Sequence, residues 1–317
     1  MQGRGAAVGD YHAPLFLAWQ LTNRCTGHCL HCCEESGPDK AWPDELSRER
    51  SLELAREIVA LAIPYVAFGG GEPLGVPHAL EVFDILTKGG TELKLETNGL
   101  DIGEKEADFL ESLNTACIQI SIDGATAAVH EKLRPGSGYA PAWAAIDRLV
   151  KRGLEPELVF IPTKINVDDA AAVYEQAAQR GVRTFVTGPM MRLGRAAAAW
   201  DTLAATDAQW NQAVAVLKAA EKASGGKPRL ACYPWGIQHE MKTRALSPQA
   251  MLLVVPNGKV KLLNALPFAV ADLKDETLAQ AWPKVAKAWG SKTVLDFVAK
   301  AQVDAGLLKH ANECWDV

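Results

Sequence analysis

Four cysteines fall within nine residues, in the run Cys25-Thr26-Gly27-His28-Cys29-Leu30-His31-Cys32-Cys33. The first three have the spacing Cys-x3-Cys-x2-Cys. Three thiolates on one loop can hold three irons of a [4Fe-4S] cube and leave the fourth iron open to another ligand. Zinc is the competing metal. A structural zinc takes four ligands, and His28, His31 or Cys33 would supply the fourth. Unrelated buried thiols are the plainest alternative, and a cluster this dense fits it least well. Neighbours on a tight loop do not easily reach the same cube, so Cys33 reads as a bystander.

The elements that must carry this loop follow a regular rhythm. Leu15–Trp19 reads as a buried strand just before the cysteines, and Ser47–Ala62 reads as a helix with Ser47 at its N-cap. Strand and helix signals then alternate. The strands are Tyr65–Phe68, Glu92–Glu96, Cys117–Ile122, Glu157–Ile161 and Arg183–Val186; the helices are Pro77–Lys88, Glu104–Leu113, Ala140–Arg152 and Val167–Arg180. Six β-then-α units, roughly 25–35 residues apart, are the signature of a parallel sheet. The α/β fold expected is a partial (β/α)6 TIM-like barrel, or else an open doubly wound sheet. A boundary near 205–228 divides the chain into segments 1–205 and 206–317. The second segment is predicted to be a smaller α+β extension with a helix at Asp207–Lys222, a linker at Ser224–Pro228, a hairpin about Asn257-Gly258, and helices at Glu276–Trp289 and Lys292–Leu308.

Short polar motifs sit where these strands end: Gly69-Gly70-Gly71-Glu72-Pro73, Thr97-Asn98-Gly99, Ser121-Ile122-Asp123-Gly124 and Gly194-Arg195-Ala196. In this order, after a Cys-x3-Cys-x2-Cys loop, they resemble the radical SAM enzymes over about residues 14–200. In that family the residue before the third cysteine is usually Tyr or Phe, and here it is His31. The resemblance implies one [4Fe-4S] cluster on Cys25, Cys29 and Cys32, with S-adenosylmethionine (SAM) chelating the open iron. It implies reductive cleavage of SAM to a 5′-deoxyadenosyl radical, fed by an electron donor such as flavodoxin or ferredoxin. The SAM-binding candidates are Gly70, Gly71, Glu72, Pro73, Thr97, Asn98, Ser121, Asp123, Arg134 and Arg195, with His31 packing against adenine. Thr163 and Asn166, after the fifth strand, are weaker candidates. At Gly70 and Gly71 the missing side chain would let the backbone approach the methionine amino group. A valine there is expected to weaken SAM binding and spare the cluster.

The stretch 251–282 resembles the SPASM extension of the same family, with its Pro-x-Gly hairpin and a helix ending in Trp282, but without its cysteines. Only Cys232 and Cys314 remain in that part of the chain, too few for a four-cysteine auxiliary cluster. Cys232 is therefore either a packed thiol or a hydrogen-atom donor to a substrate radical, the latter favouring an isomerisation. Cys117, which opens a strand, reads as a core thiol.

Composition narrows the remaining classes. The chain has 317 residues, 48% of them hydrophobic and 22% charged, and a net charge of −5. That excludes a disordered or low-complexity chain, and no basic run points to nucleic acid. No stretch reaches the ~18–20 apolar residues of a membrane span. The start lacks an apolar signal core, so the expected location is cytoplasmic. Seven cysteines in a reducing compartment favour metal over disulfides. By resemblance the expected substrate is a peptide or peptide-derived precursor. The alternatives are epimerisation, decarboxylation or other tailoring of a tetrapyrrole, sugar or nucleoside, or a metal-binding scaffold without catalysis.

Overall fold

Strand β1 (Phe16–Gln20) shows how one sheet serves two environments. Alternate residues point to opposite faces. Leu17 and Trp19 are buried on the outer face, where Trp19 packs on Phe68 with ring centroids 5.6 Å apart. Phe68 in turn meets Phe83 of the helix Ala79–Lys88 at 4.6 Å. The opposite face of the strands lines an interior cavity. The computed structural model describes residues 8–113 and 115–317.

The predicted strands recur as β1, β2 (Tyr65–Gly69), β3 (Glu92–Thr97), β4 (Thr115–Ser121), β5 (Glu157–Phe160) and β6 (Thr184–Thr187). All pair in parallel, in chain order. The helix after the cysteine loop runs Arg48–Ala60, and Ser47 Oγ caps it by accepting from the Arg50 N–H at 3.2 Å. The fold is thus the expected α/β partial barrel, an open sheet with two edges.

Segment 206–317 contributes to that same sheet. Strand β7 (Arg229–Cys232) follows the predicted linker and pairs in parallel with β6. Strand β8 (Met251–Val254) pairs in parallel with β1 and in antiparallel with β9 (Lys259–Lys261), the predicted Asn-Gly hairpin. Gly258, with φ +83°, makes its turn. Strands β10 (Phe268–Asp272) and β11 (Trp315–Asp316) complete the order β11-β10-β9-β8-β1-β2-β3-β4-β5-β6-β7. The last predicted helix ends early, at Val303. Asp304 there turns its carboxylate onto the Gly306 N–H at 2.8 Å and starts a 3-10 turn, Ala305–His310. The tail beyond is held by Lys261, 2% exposed, whose Nζ donates to the carbonyls of Ala311 and, at 3.1 Å, of Glu313. Among the described residues no helix is long and apolar enough to cross a membrane.

Candidate active site

The cysteine loop runs from the end of β1 to the helix Arg48–Ala60 and has no regular structure of its own. Its backbone groups must therefore find partners across the loop and beyond it. The Cys25 N–H donates to the Gly37 carbonyl at 3.0 Å, that of His28 to Pro135 at 2.7 Å, and that of Leu30 to Leu133 at 2.9 Å. Arg195 closes the far side. Its Nε donates to the Cys29 carbonyl at 2.9 Å, Nη2 to that of Ser36, and its own N–H to that of Cys32 at 3.0 Å. The Arg195 side chain, a candidate for SAM, is thus committed to the loop's carbonyls. Arg195→Met removes two charge-assisted hydrogen bonds. It is expected to destabilise the metal-free protein by about 2 kcal/mol and to lower iron loading, read by denaturant unfolding and iron assay.

The Gly-Gly-Glu-Pro turn after β2 lies directly against this loop. The N–H groups of Gly71 and Glu72 donate to the carbonyls of Thr22 and Arg24, both at 2.8 Å. Gly70 has φ +99°, and a Cβ on Gly71 would stand 2.0 Å from the Arg24 carbonyl oxygen. The close approach that requires glycine at 71 is therefore to the cysteine loop's own backbone. Glu72 is equally committed. It is 2% exposed, and it accepts from Thr97 Oγ1 at 2.7 Å, the Asn98 N–H at 2.9 Å and the Leu74 N–H at 3.3 Å. Burial pushes its carboxyl up to about 7, against those donors. This carboxylate, a candidate for SAM, is a staple between the turns after β2 and β3. Asn98, so positioned, donates Nδ2 to Thr26 Oγ1 at 3.0 Å and to Cys25 Sγ at 3.8 Å. Burial raises the Cys25 thiol to about 11.

Beyond β4 the chain builds a buried polar knot on Asp123, which is fully inaccessible. Asp123 accepts from Arg134 Nε, from the Ile161 N–H at 2.7 Å, and from His31 Nε2 at 3.1 Å. Asn166 Nδ2 donates to the Asp123 carbonyl at 3.1 Å. Burial alone would raise this carboxyl; the Arg134 guanidinium and His31 outweigh it and hold the group well below the usual range. Burial also lowers His31, more than Asp123 restores. The imidazole expected against adenine is thus tied at Nε2.

A cavity of about 350 Å³ opens at the C-terminal ends of the parallel strands, where barrel folds place their sites. It gathers Cys25, Cys29 and Cys32, with His31, Gly70, Gly71, Glu72, Thr97, Asn98, Ser121, Arg134 and Arg195. Pro73, Asp123 and Cys232 are not on its wall. Glu34, Glu96, Ser137 and Met190 are on it without having been singled out by motif. Only Glu96 carried a legible signal, sharing the inward face of β3 with its ion-pair partner Lys94 at 2.7 Å.

Cys232 is set apart by register. Ser121 and Val159 line the cavity and align with Val186 of β6 and Ala231 of β7. Cys232 aligns with Thr187 and Phe160, one residue on, hence on the other face. That face packs on the helix Ala170–Gln179, as Tyr174 does on Phe185 at 5.3 Å. The thiol offered as a hydrogen-atom donor points into the helical layer. Cys232→Ala is expected to leave iron loading and SAM cleavage at wild-type levels, and a tenfold loss of cleavage would contradict this placement.

The Radical SAM superfamily profile matches residues 19–177, half of the chain. The chain belongs to the radical SAM superfamily. A radical SAM enzyme works with a [4Fe-4S] cluster and SAM, and the donor set here suits a cube. Three free thiols line one cavity. Among the described residues no three His, Cys, Asp or Glu side chains converge on a single metal ion. A cube gives each of three thiolates its own iron. Mycofactocin maturase MftC of Mycobacterium ulcerans is 34% identical over 201 residues, 62% of this chain and 53% of that protein. The sporulation killing factor maturation protein SkfB of Bacillus subtilis is 28% identical over 188 residues, 59% of this chain and 45% of that protein. The chain thus spans about half the length of these relatives. Streptococcus suis SuiB bound to SAM shares the fold with a TM-score of 0.72 at 10% identity, covering 88% of this chain and 68% of that one. SuiB bound to its precursor peptide SuiA gives 0.70 at 11% identity, covering 88% and 67%.

Proposed function

We propose that this radical SAM chain binds one [4Fe-4S] cluster through Cys25, Cys29 and Cys32, cleaves SAM reductively there, and modifies a peptide or peptide-derived precursor. The observation that carries the cluster reading is the convergence of the three thiols, the Gly70–Pro73 turn and Ser121 on one cavity. When bound, the cluster and SAM supply the radical that takes a hydrogen atom from the substrate. The protein's part is positional. Arg195 and the Pro135 and Leu133 carbonyls hold the loop; the Glu72 staple sets Thr97 and Asn98; Ser121 and Asp123, through Arg134, complete the wall proposed for SAM. Cys232 and Cys314 are too few for a second cluster, so 206–317 is proposed to shape the substrate side. The peptide substrate is supported by MftC and SkfB, both maturation proteins, and by SuiB with its precursor peptide. The electron donor is proposed to be a flavodoxin or ferredoxin, and the free thiols suit a reducing, cytoplasmic setting.

The test is anaerobic incubation of reconstituted protein with SAM, reductant and peptides encoded by neighbouring genes, read by mass spectrometry. The expected result is 5′-deoxyadenosine and a mass change in one peptide. Iron-loaded protein that forms no 5′-deoxyadenosine overturns the activity. Deoxyadenosine accompanied by a modified tetrapyrrole, sugar or nucleoside in place of a peptide overturns the substrate class.

A further inference from the structure

Of the three cluster-loop thiols, Cys29 has a distinctive setting. Ser137 Oγ lies 3.6 Å from its sulfur, and Arg134 Nη1 donates to it at 3.7 Å. Cys25 receives the neutral Asn98 Nδ2, at 3.8 Å, and the Gly27 N–H, while Cys32 receives the Ser36 N–H, with the Arg195 guanidinium near it but bonded to the loop's carbonyls. Arg134 is not a mobile surface cation. Its side chain is 11% exposed, and its Nε is bonded to the fully buried Asp123 carboxylate, itself fixed by the Ile161 N–H and by His31. The carboxylate engages Nε while Nη1 meets the sulfur, so Cys29 faces the cationic end of the pair.

We infer that Arg134, oriented by Asp123, is a fixed cationic hydrogen-bond donor to Cys29 that raises the reduction potential of the cluster. This rests on the cluster reading proposed above. The potential of an iron-sulfur centre follows its net charge, its solvent exposure and the hydrogen bonds to its sulfurs. Reduction adds one negative charge to the cube and its thiolates. A buried cation beside one of those sulfurs stabilises the reduced form more than the oxidised form, because little water screens it. Ser137 adds a neutral donor to the same sulfur and acts in the same direction, more weakly. Asp123 is then a positioning residue, and Arg134 is a tuning group independent of any contact it makes with SAM.

The experiment is a dye-mediated potentiometric titration of the reconstituted full chain, followed by electron paramagnetic resonance and carried out before SAM is added. Arg134→Gln is expected to load wild-type iron and to be about tenfold harder to reduce, a shift of about 59 mV to more negative potential for one electron. Arg134→Lys, which keeps the charge, is expected to fall between the two. Ser137→Ala is expected to shift the same way by less. An iron-loaded Arg134→Gln whose potential is unchanged or more positive overturns the inference, even if its SAM affinity or thermal stability falls, since a SAM anchor or a purely structural residue would do only that. If Arg134→Gln does not load iron, Ser137→Ala decides, and an unmoved potential there is equally fatal. Wild-type protein that assembles no cluster overturns the cluster reading and this inference together.

Discussion

Replacing Cys25, Cys29 and Cys32 together with alanine is expected to take the iron content of reconstituted protein from about four per chain to almost none, and to abolish SAM cleavage. All three cysteines line one cavity, and among the described residues no group of three His, Cys, Asp or Glu side chains is gathered on a single metal ion elsewhere either. Cys33, half-buried, turns its thiol to Glu34 Oε1, to which it donates at 3.5 Å, and is not expected to replace a lost neighbour. The fold should survive the triple change, because the loop is held through its backbone, by Gly37, Pro135, Leu133 and Arg195. Circular dichroism of the variant should match that of wild-type metal-free protein. Iron and sulfide near eight per chain in the wild type would contradict a single cluster, and substantial iron in the triple variant would place it elsewhere.

The first six strands were legible because a parallel strand buried by helices is a short apolar run between turn residues. β7 was not. Arg229–Cys232 is four residues long, opens with an arginine, and follows a glycine-rich stretch that reads as a linker. Nor could local pattern show that β8 pairs with β1 across more than 230 residues, since the hairpin signal accounts only for its partner β9. At the site, sequence identified the right residues more readily than their partners. In sequence Arg195 and Glu72 are SAM-binding candidates, because a guanidinium or carboxylate looks the same whether its partner is SAM or the protein. In the fold, backbone carbonyls take the one, and Thr97 with the Asn98 and Leu74 N–H groups takes the other. Cys232 shows the limit most plainly. Its distance along the chain was compatible with the pocket, but a single step of register turns it to the opposite face.

Gly71→Val is expected to cost the protein its cluster together with SAM binding, where the glycine motif by itself suggested the loss of SAM alone. The added Cβ would lie 2.0 Å from the Arg24 oxygen and 2.6 Å from its carbonyl carbon. These are backbone atoms of the residue before Cys25, so no side-chain rotation can relieve the clash. Either the turn or the cysteine loop must move. A turn that moves gives up the Gly71 and Glu72 hydrogen bonds to Thr22 and Arg24, and with them the Glu72 staple that sets Asn98 beside Cys25. A loop that moves carries Cys25 out of line with Cys29 and Cys32. The cost is placed at the upper end of the ~1–3 kcal/mol typical of overpacking, or beyond it. Gly75→Ala is the matched control in the same segment, since its Cβ would meet nothing closer than 3.8 Å. Iron assay, SAM binding and denaturant unfolding on both variants separate the readings. Gly71→Val should show reduced iron and lowered stability, and Gly75→Ala neither. A Gly71→Val protein with full iron, wild-type stability and only weakened SAM binding would restore the ligand-approach explanation and remove the loop contact as the reason for glycine at this position.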